Sequence, residues 1–257
     1  MKDVQSEKDL RRIPLKHVGI KKLRWPVELR DREHGVQRTV AEVTLAVDLP
    51  HDLRGTHMSR FVESMVQLGP LGLNEIEMLL DKLKENLQAE RAVMRLAFPY
   101  FINKKAPVSG MIAPMDIDCV YEAEKGQSFR LTVEAVIPIQ TLCPCSKEIS
   151  AYGAHNQRAF AKLKIEASEM VWLEELASMA DQAASAPVFG LLKRPDEKHV
   201  TELAYDNPRF VEDAVRELAI LLENDERILR YRAEVESVES IHNHNAFAVV
   251  EKSEHEC

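Results

Sequence analysis

The sequence has no long apolar run and no concentration of basic residues, and each absence excludes a class of protein. A helix that spans a bilayer needs roughly 20 consecutive apolar residues, and no run in the 257 residues approaches that length. The formal net charge of −8 argues against non-specific attraction to nucleic acid or to an anionic membrane. The first residues, MKDVQSEKDLRR, are charged where a signal peptide is apolar. We therefore expect a cytoplasmic protein that binds neither nucleic acid nor a membrane.

Cysteine is also scarce, with 4 residues in the chain. Because no secretory signal is evident, metal binding or catalysis by free thiols is favoured over disulfides. Cys119 alternates with apolar residues in MDIDCVYEA, which predicts a small core residue. Cys257 stands at the terminus and is predicted to have no role. The informative pair is Cys143 and Cys145.

Two periodicities run along the chain and predict its secondary structure. Alternating apolar and polar residues, as in SFRLTVEAVIPI, predict strands with one buried face. Apolar residues at helical spacing predict helices, most clearly in LNEIEMLLDKLKENLQ, where Ile76, Leu80 and Leu83 belong to one stripe. Another helix is predicted in NPRFVEDAVRELAILL, with Asn207 as its cap and Pro208 at its first position.

The predicted elements repeat in the order strand, strand, helix, helix, strand, strand. This order predicts an α+β protein with antiparallel sheets and helices on one sheet face. Open sheet edges favour pairing with another copy, so we expect a homo-oligomer. Polar tails are predicted at residues 1 to about 13 and after Lys252. The predicted strands are 15–25, 36–48, 91–104, 112–124, 128–141, 157–167, 227–238 and 245–251, and the helices are 57–67, 73–88, 170–184 and 207–222.

The segment TLCPCSKEISAYGAHNQR joins two predicted strands and concentrates chemically active side chains. Thiolate and imidazole are natural ligands of Zn²⁺ and related ions, and the loop from Cys143 to His155 is long enough to fold back on one ion. Since Pro144 can redirect one thiol, the sequence leaves open whether Cys143 or Cys145 is the ligand. We favour Cys143, with Cys145 nearby as a reactive or supporting thiol. Two buried cysteines at a strand end are the alternative.

Two further clusters hold candidate residues. ESIHNHNAF places Glu239, His242 and His244 in the turn between the last two strands, near the same sheet as the thiols. Neutral histidine is the commonest general acid or base near pH 7, although two surface histidines are the alternative. Glu212 lies in the first turns of a helix and borders its apolar face. A carboxylate there can accept hydrogen bonds from a planar pair of N–H groups.

The first half of the chain offers one candidate anion site, in DLRGTHMSRF. Arg54 and His57 stand just before a predicted helix, where basic side chains and backbone N–H groups bind phosphate. An ordinary helix start explains the same residues.

Several motifs together resemble one enzyme family, type IB GTP cyclohydrolase I, a bacterial class distinct from type IA. They are RGTHMSRF, LCPCSKEIS followed by YGAHNQR, YDNPRFVED and ESIHNHNA, and they span about Arg54 to Ala246. The resemblance implies two tunnelling-fold modules in one chain, at 14–125 and 126–257 after a polar tail at 1–13. It also implies a homotetramer with active sites where subunits meet.

The resemblance further implies a reaction and a set of residue roles. GTP is hydrolysed at C8 of the purine, formate leaves, and a new ring closes to give 7,8-dihydroneopterin triphosphate for folate and, in many bacteria, queuosine synthesis. One divalent metal, zinc or else manganese or iron, is held with a position left open for water. The implied residues are Cys143, His155 and Glu197 for the metal, His242, Glu239 and Cys145 for catalysis, and Glu212 (for guanine), His57 and Arg54 for substrate.

Three other functions are weighed against this one. An archaeal relative of the same class gives a cyclic phosphate product. A tunnelling-fold nitrile reductase uses a cysteine nucleophile with NADPH, a role open to Cys145, but its chemistry does not need the histidine and glutamate set. A non-enzymatic zinc protein would normally close its site with four protein ligands, whereas three are assigned here.

Overall fold

The computed structural model describes residues 5, 7–66 and 68–253. Cys257 and parts of the two predicted polar tails lie outside these residues. The strands are β1 (Leu15–Asp31), β2 (Gly35–Leu49), β3 (Ala92–Lys105), β4 (Ile112–Lys125), β5 (Phe129–Leu142), β6 (Asn156–Ala167), β7 (Ala186–Pro187), β8 (Ile228–Ser237) and β9 (Ala246–Lys252). The helices are α1 (Met58–Met65), α2 (Leu73–Leu87), α3 (Pro144–Ile149), α4 (Leu173–Ala183), α5 (Arg194–Asp206) and α6 (Val211–Glu223).

The chain divides into two compact units. The first comprises Met1–Pro99 and Val120–Thr132, and the second comprises Tyr100–Cys119 and Val133–Cys257. In the first unit β1 pairs with β2 and β2 with the first half of β3, and in the second unit β6 pairs with β8 and β8 with β9, all antiparallel. The antiparallel α+β class is confirmed, whereas the module limits at 125 and 126 stay a prediction. In the described part of the chain, no helix has the length and apolar character needed to cross a membrane.

In the first unit, β1 is longer than the predicted strand at 15–25. It pairs with β2 as far as Asp31 opposite Gly35. Pro26 does not end the strand, because β1 is an edge strand, where a missing N–H is tolerated. The turn is held by Asp31, whose Oδ1 accepts hydrogen bonds from the backbone N–H groups of Glu33 and His34 at 2.8 and 2.7 Å. Gly35 completes it with a φ of +79°.

The helical stripe predicted in the first unit is confirmed. Ile76, Leu80 and Leu83 of α2 are fully buried. α1 and α2 pack against each other, α1 contacts β1, and α2 contacts β2. Burial of one apolar face therefore holds these helices on the sheet.

The second unit departs from the predicted pattern in its helices. α3 and α5 were not predicted, and α6 begins at Val211 with Phe210 as its cap. The prediction of Asn207 as the cap of this helix was wrong, because Asn207 ends α5 and its side-chain amide donates to the Ala184 carbonyl at 2.9 Å. The prediction of Cys119 as a core residue is confirmed, since the side chain is 1% exposed.

The start of α5 is fixed by Asp196, which is fully buried. Its Oδ1 accepts hydrogen bonds from the backbone N–H groups of Val108 and Ser109, and its Oδ2 accepts one from Lys193, each at 2.8 Å. Burial raises the pKa of Asp196, but the hydrogen bonds from Ser109, Lys193 and Val108 outweigh it and hold the pKa well below the ordinary 3.8. The carboxylate therefore ties α5 to the β3–β4 turn.

Replacing Asp196 with asparagine is expected to lower the thermal stability in a pH-dependent way. Because the folded-state pKa lies below the unfolded one, the ionised carboxylate stabilises the fold fully above the ordinary pKa of 3.8 and progressively less as the pH falls through the folded-state pKa. Thermal melts of both proteins between about pH 3 and 7 measure the difference in Tm. The difference should shrink below 3.8. A difference that stays constant with pH would contradict this role.

Candidate active site

A cavity of about 500 Å³ lies in the second unit, at the ends of β5, β6 and β8 and beside the start of α6. A volume of this size suits a small-molecule ligand. Six residues singled out from the sequence line it: Cys143, His155, Glu212, Glu239, His242 and His244. The cavity therefore collects a thiol, three imidazoles and two carboxylates from four separate parts of the chain.

Cys143 and His155 are joined through the backbone at the end of the β5–β6 hairpin. The Cys143 N–H donates to the His155 carbonyl at 3.2 Å. Cys143 caps α3, and its Sγ accepts a hydrogen bond from the Ser146 N–H at 3.4 Å. The Ser146 hydroxyl in turn accepts from the His155 N–H at 3.4 Å. These bonds hold the thiol and the imidazole at one end of the cavity.

The His155 ring is oriented by Gln157 and Ser240. Its Nδ1 lies 2.9 Å from Gln157 Oε1 and 3.1 Å from Ser240 Oγ. Gln157 Nε2 donates to Glu239 Oε1 at 3.4 Å, so the other amide atom of Gln157 is the acceptor that faces His155. An acceptor oxygen beside Nδ1 favours the tautomer in which Nδ1 carries the proton and Nε2 the lone pair.

A chain of hydrogen bonds links Glu239 to two buried hydroxyls. Ser237 Oγ donates to Glu239 Oε1 at 3.4 Å, and Thr141 Oγ1 lies 3.4 Å from Ser237 Oγ. Thr141 and Ser237 are each 1% exposed. Because buried hydroxyls need partners, this chain of bonds fixes Glu239 on the cavity wall.

The segment that leads into α6 also lines the cavity. The Arg209 N–H donates to the Leu142 carbonyl at 3.0 Å, which attaches this segment to the end of β5. Glu212 is the second residue of α6 and is exposed on the cavity. An acidic residue in the first turn of a helix interacts favourably with the helix dipole.

The β8–β9 turn contributes two histidines to the cavity. The rings of His242 and His244 are stacked with their centroids 5.2 Å apart and an interplanar angle of 20°. Asn245, also in the turn, donates to Glu236 Oε1 at 2.7 Å. His242 is exposed and lines the cavity.

Two candidates of the second unit, Cys145 and Glu197, do not line the cavity. Cys145 is exposed in α3, and its catalytic role stays a prediction. Glu197 is exposed in the first turn of α5, because its neighbour Asp196 is the residue that points inward. Among residues 5, 7–66 and 68–253, no group of three or more His, Cys, Asp or Glu side chains is arranged to hold a metal ion.

The remaining two candidates, Arg54 and His57, belong to the first unit. Arg54 Nη1 donates to Glu7 Oε2 at 2.5 Å, and the Arg54 N–H donates to the Glu7 carbonyl at 3.1 Å. His57 caps α1 without a side-chain capping bond. Phosphate binding by this pair stays a prediction.

Sequence reasoning missed the residues that orient the imidazole and hold the helix segment. Gln157 follows His155 by two positions in a strand, so the period of two could have placed both side chains on one face. Ser240 and Arg209 carry no comparable signal, because their contacts depend on how the β8–β9 turn and the α5–α6 segment fold.

The fold has known counterparts among the tunnelling-fold urate oxidases. One is the urate oxidase from Bacillus sp. TB-90, with a TM-score of 0.54, 8% identity, and coverage of 93% of this chain and 100% of that one. Another is the uricase from Arthrobacter globiformis, with a TM-score of 0.50, 6% identity, and coverage of 92% of each chain. At such low identity the likeness concerns the fold alone. The protein is thus of the tunnelling-fold α+β class.

Sequence comparison places the chain within that class. The family model described as Type I GTP cyclohydrolase folE2 matches residues 1–248. The chain is 54% identical over 251 residues to GTP cyclohydrolase FolE2 of Caldicellulosiruptor saccharolyticus, covering 98% of each chain. It is 53% identical over 254 residues to GTP cyclohydrolase FolE2 of Thermotoga maritima, covering 99% of this chain and 98% of the relative. The chain therefore belongs to the type I GTP cyclohydrolase folE2 family.

Proposed function

We propose that the protein is a GTP cyclohydrolase that opens the purine ring of GTP at C8, releases formate and yields 7,8-dihydroneopterin triphosphate, the first step of folate synthesis and a supply for queuosine. Family membership supports the activity. The observation that carries the proposal is the cavity of the second unit, where the thiol of Cys143, the imidazole of His155 and the carboxylate of Glu212 lie together. A cyclic phosphate product, as in the archaeal relative, is the alternative outcome.

We propose that a divalent metal, zinc or else manganese or iron, binds at the end of the cavity formed by Cys143 and His155. A thiol and an imidazole are adjacent, and the imidazole presents Nε2 because Nδ1 faces Gln157 and Ser240. We propose Cys143, His155 and Glu197 as the ligands. When bound, the ion supplies Lewis-acid chemistry for hydrolysis near neutral pH. Glu197 is the least supported member, and a Glu197→Ala variant that keeps full metal affinity would remove it from the set.

The other residues of the cavity act on the substrate. Glu212 accepts hydrogen bonds from the N–H pair of guanine and so orients the ring. His242 delivers a proton to the ring nitrogen that leaves C8. Glu239 holds Gln157 and thereby the tautomer of His155. The proposed complete enzyme is a cytoplasmic homotetramer in which Arg54 and His57 contribute to phosphate binding and Cys145 to catalysis.

The activity is tested by incubating the purified protein, reconstituted separately with Zn²⁺, Mn²⁺ and Fe²⁺, with GTP. We expect formate and, after oxidation, a fluorescent pterin in equal amounts, because one ring opening yields one of each. Mass spectrometry of the unoxidised product distinguishes the open triphosphate from a cyclic phosphate. If none of the three metals yields formate, the proposed function is wrong.

Replacing Gln157 with leucine is expected to weaken metal binding about 10- to 100-fold, the usual effect of losing the partner of a ligating histidine. Leucine has a similar volume but cannot accept from His155 Nδ1. Competition with a chromogenic chelator measures the affinity without any turnover. Gln140→Leu, on β5 and outside the cavity, is the matched control and should keep the affinity of the wild type. Equal affinities for both variants would show that Gln157 does not orient the ligand.

A further inference from the structure

A further cavity, of about 320 Å³, lies in the second unit between α5 and the sheet. Burial alternates along β5, and Gln140 lies on its partly exposed face. Ala186 of β7 is the pairing partner of Gln140 and therefore lies on the same face. It packs in an apolar cluster with Leu142 of β5 and with Val200 and Ala204 of α5. α5 therefore covers part of the sheet face that carries Gln140.

One wall of this cavity is apolar. It is formed by the segment between β7 and α5 and by the first half of α5, with Pro187, Val188, Phe189, Leu192 and Val200. Phe189 and Leu192 pack against the apolar cluster under α5. The buried Asp196 holds the start of α5 on the β3–β4 turn, so the wall is fixed in place. Such a wall favours burial of an apolar ligand body.

Three polar side chains from β5 and β6, those of Gln140, Asn156 and Arg158, also line the cavity. The bond from the Cys143 N–H to the His155 carbonyl aligns the two neighbouring strands so that Gln140 stands opposite Arg158. Asn156 lies two residues before Arg158 and therefore on the same face. In the part of the chain that the structure describes, none of these three side chains makes a hydrogen bond or an ion pair. Their donors and acceptors are therefore available to a ligand.

Arg158 differs from other basic residues on the same face of the sheet, which pair with glutamates. These ion pairs are Lys162–Glu134, Arg230–Glu166 and Arg232–Glu234, at 3.5, 2.9 and 2.7 Å. Opposite Arg158 stands the aliphatic Val238, whose N–H donates to the Arg158 carbonyl at 2.9 Å. An unpaired guanidinium beside an apolar wall is suited to bind a planar anion.

We propose that this cavity is a binding site for a small aromatic carboxylate. The guanidinium of Arg158 pairs with the carboxylate through two parallel hydrogen bonds, and the ring is buried against the apolar wall. The amides of Gln140 and Asn156 bind polar substituents of the ring. The site goes beyond the proposed function, because it needs neither GTP nor a metal. Gln157 lines both cavities, so the ligand lies next to the residue that orients the imidazole of the candidate active site.

The test records fluorine NMR spectra of para-fluorobenzoate during titration with the full-length protein, in the absence of GTP. We expect saturable broadening of the probe signal, from which Kd is obtained. The neutral para-fluorobenzamide has the same ring but no charge to pair with the guanidinium, so it should bind at least about tenfold more weakly. Absence of saturable binding, or equal binding of the amide, overturns the proposal.

Substitutions of two arginines locate the bound probe. Arg158→Gln should weaken the binding at least about tenfold, and Arg158→Lys, which keeps the charge but not the planar fork, should lie between this variant and the wild type. Arg230→Gln is the matched control, because Arg230 lies on the same sheet face but already pairs with Glu166. Its affinity should equal that of the wild type. Unchanged affinity in Arg158→Gln contradicts the assignment.

A third variant separates this site from the candidate active site. Cys143→Ala alters the other cavity and should leave the binding of para-fluorobenzoate unchanged. If Cys143→Ala loses the probe and Arg158→Gln keeps it, the carboxylate binds at the candidate active site and the proposal is wrong. Because the measurement uses no turnover, a protein without cyclohydrolase activity still gives a valid result, so the two proposals fail separately.

Discussion

Replacing Cys143 with alanine is expected to release the metal and to lower kcat/KM by more than about 100-fold. Loss of the hydrogen-bond partner of a metal ligand costs up to about 100-fold, and loss of the ligand itself should cost more. Cys143 is the proposed ligand next to His155 in the cavity, so the substitution removes a coordinating atom. Metal content after gel filtration and initial rates of formate release measure the two effects.

Cys145 provides the matched control, because it is a thiol only two residues further along, in α3, but is exposed and outside the cavity. Cys145→Ala should keep the metal, and its rate of formate release then tests the catalytic role predicted for this thiol. Circular dichroism of both variants checks the fold. If Cys145→Ala loses the metal and Cys143→Ala keeps it, the ligand assignment between the two thiols is reversed.

Much of the order of strands and helices could be predicted because the spacing of apolar residues within each segment indicates which residues are buried. The strands alternate between buried and exposed residues, and α2 buries the stripe that its spacing predicts. The failures lie where tertiary contacts override local signals. Asn207-Pro208 has the composition of a helix start, but Asn207 is bound to the carbonyl of Ala184 and ends α5 instead. Pro26 continues β1 because its strand is at an edge.

The residue types of the candidate site could be predicted from the sequence, but their positions in the fold could be predicted only in part. Cys143 and His155 are close in sequence, and a hairpin must bring them together. In the structure Glu212 and Glu197 have similar local settings, since both lie in the first turn of a helix. They separate in space because the segment before α6 bonds to the end of β5, whereas α5 begins with Asp196 buried and Glu197 turned outward. Hydrogen bonds between distant parts of the chain decide which of the two carboxylates faces the cavity, and the spacing of residues in the sequence does not predict those bonds.

Replacing Glu212 with glutamine is expected to raise KM for GTP about 10- to 100-fold, because a hydrogen bond to a charged group contributes about 1.5 to 3 kcal/mol. Glutamine keeps the volume, but it offers one oxygen and turns an NH₂ group toward the N–H donors of guanine. Since Glu212 is exposed on the cavity, the fold should not change. Initial rates over a range of GTP concentrations give kcat and KM separately, and metal content should equal that of the wild type.

Asp213, the next residue, is the control that separates an effect on substrate binding from an effect on stability. Its Oδ2 accepts from the Phe210 N–H at 3.0 Å and so caps α6. Asp213→Asn should therefore lower Tm while KM stays near the wild-type value, the reverse of the pattern for Glu212→Gln. If Glu212→Gln lowers Tm and leaves KM unchanged, Glu212 serves the helix and not the guanine. The carboxylate that orients the purine would then have to be Glu239, because it is the other acid that lines the cavity.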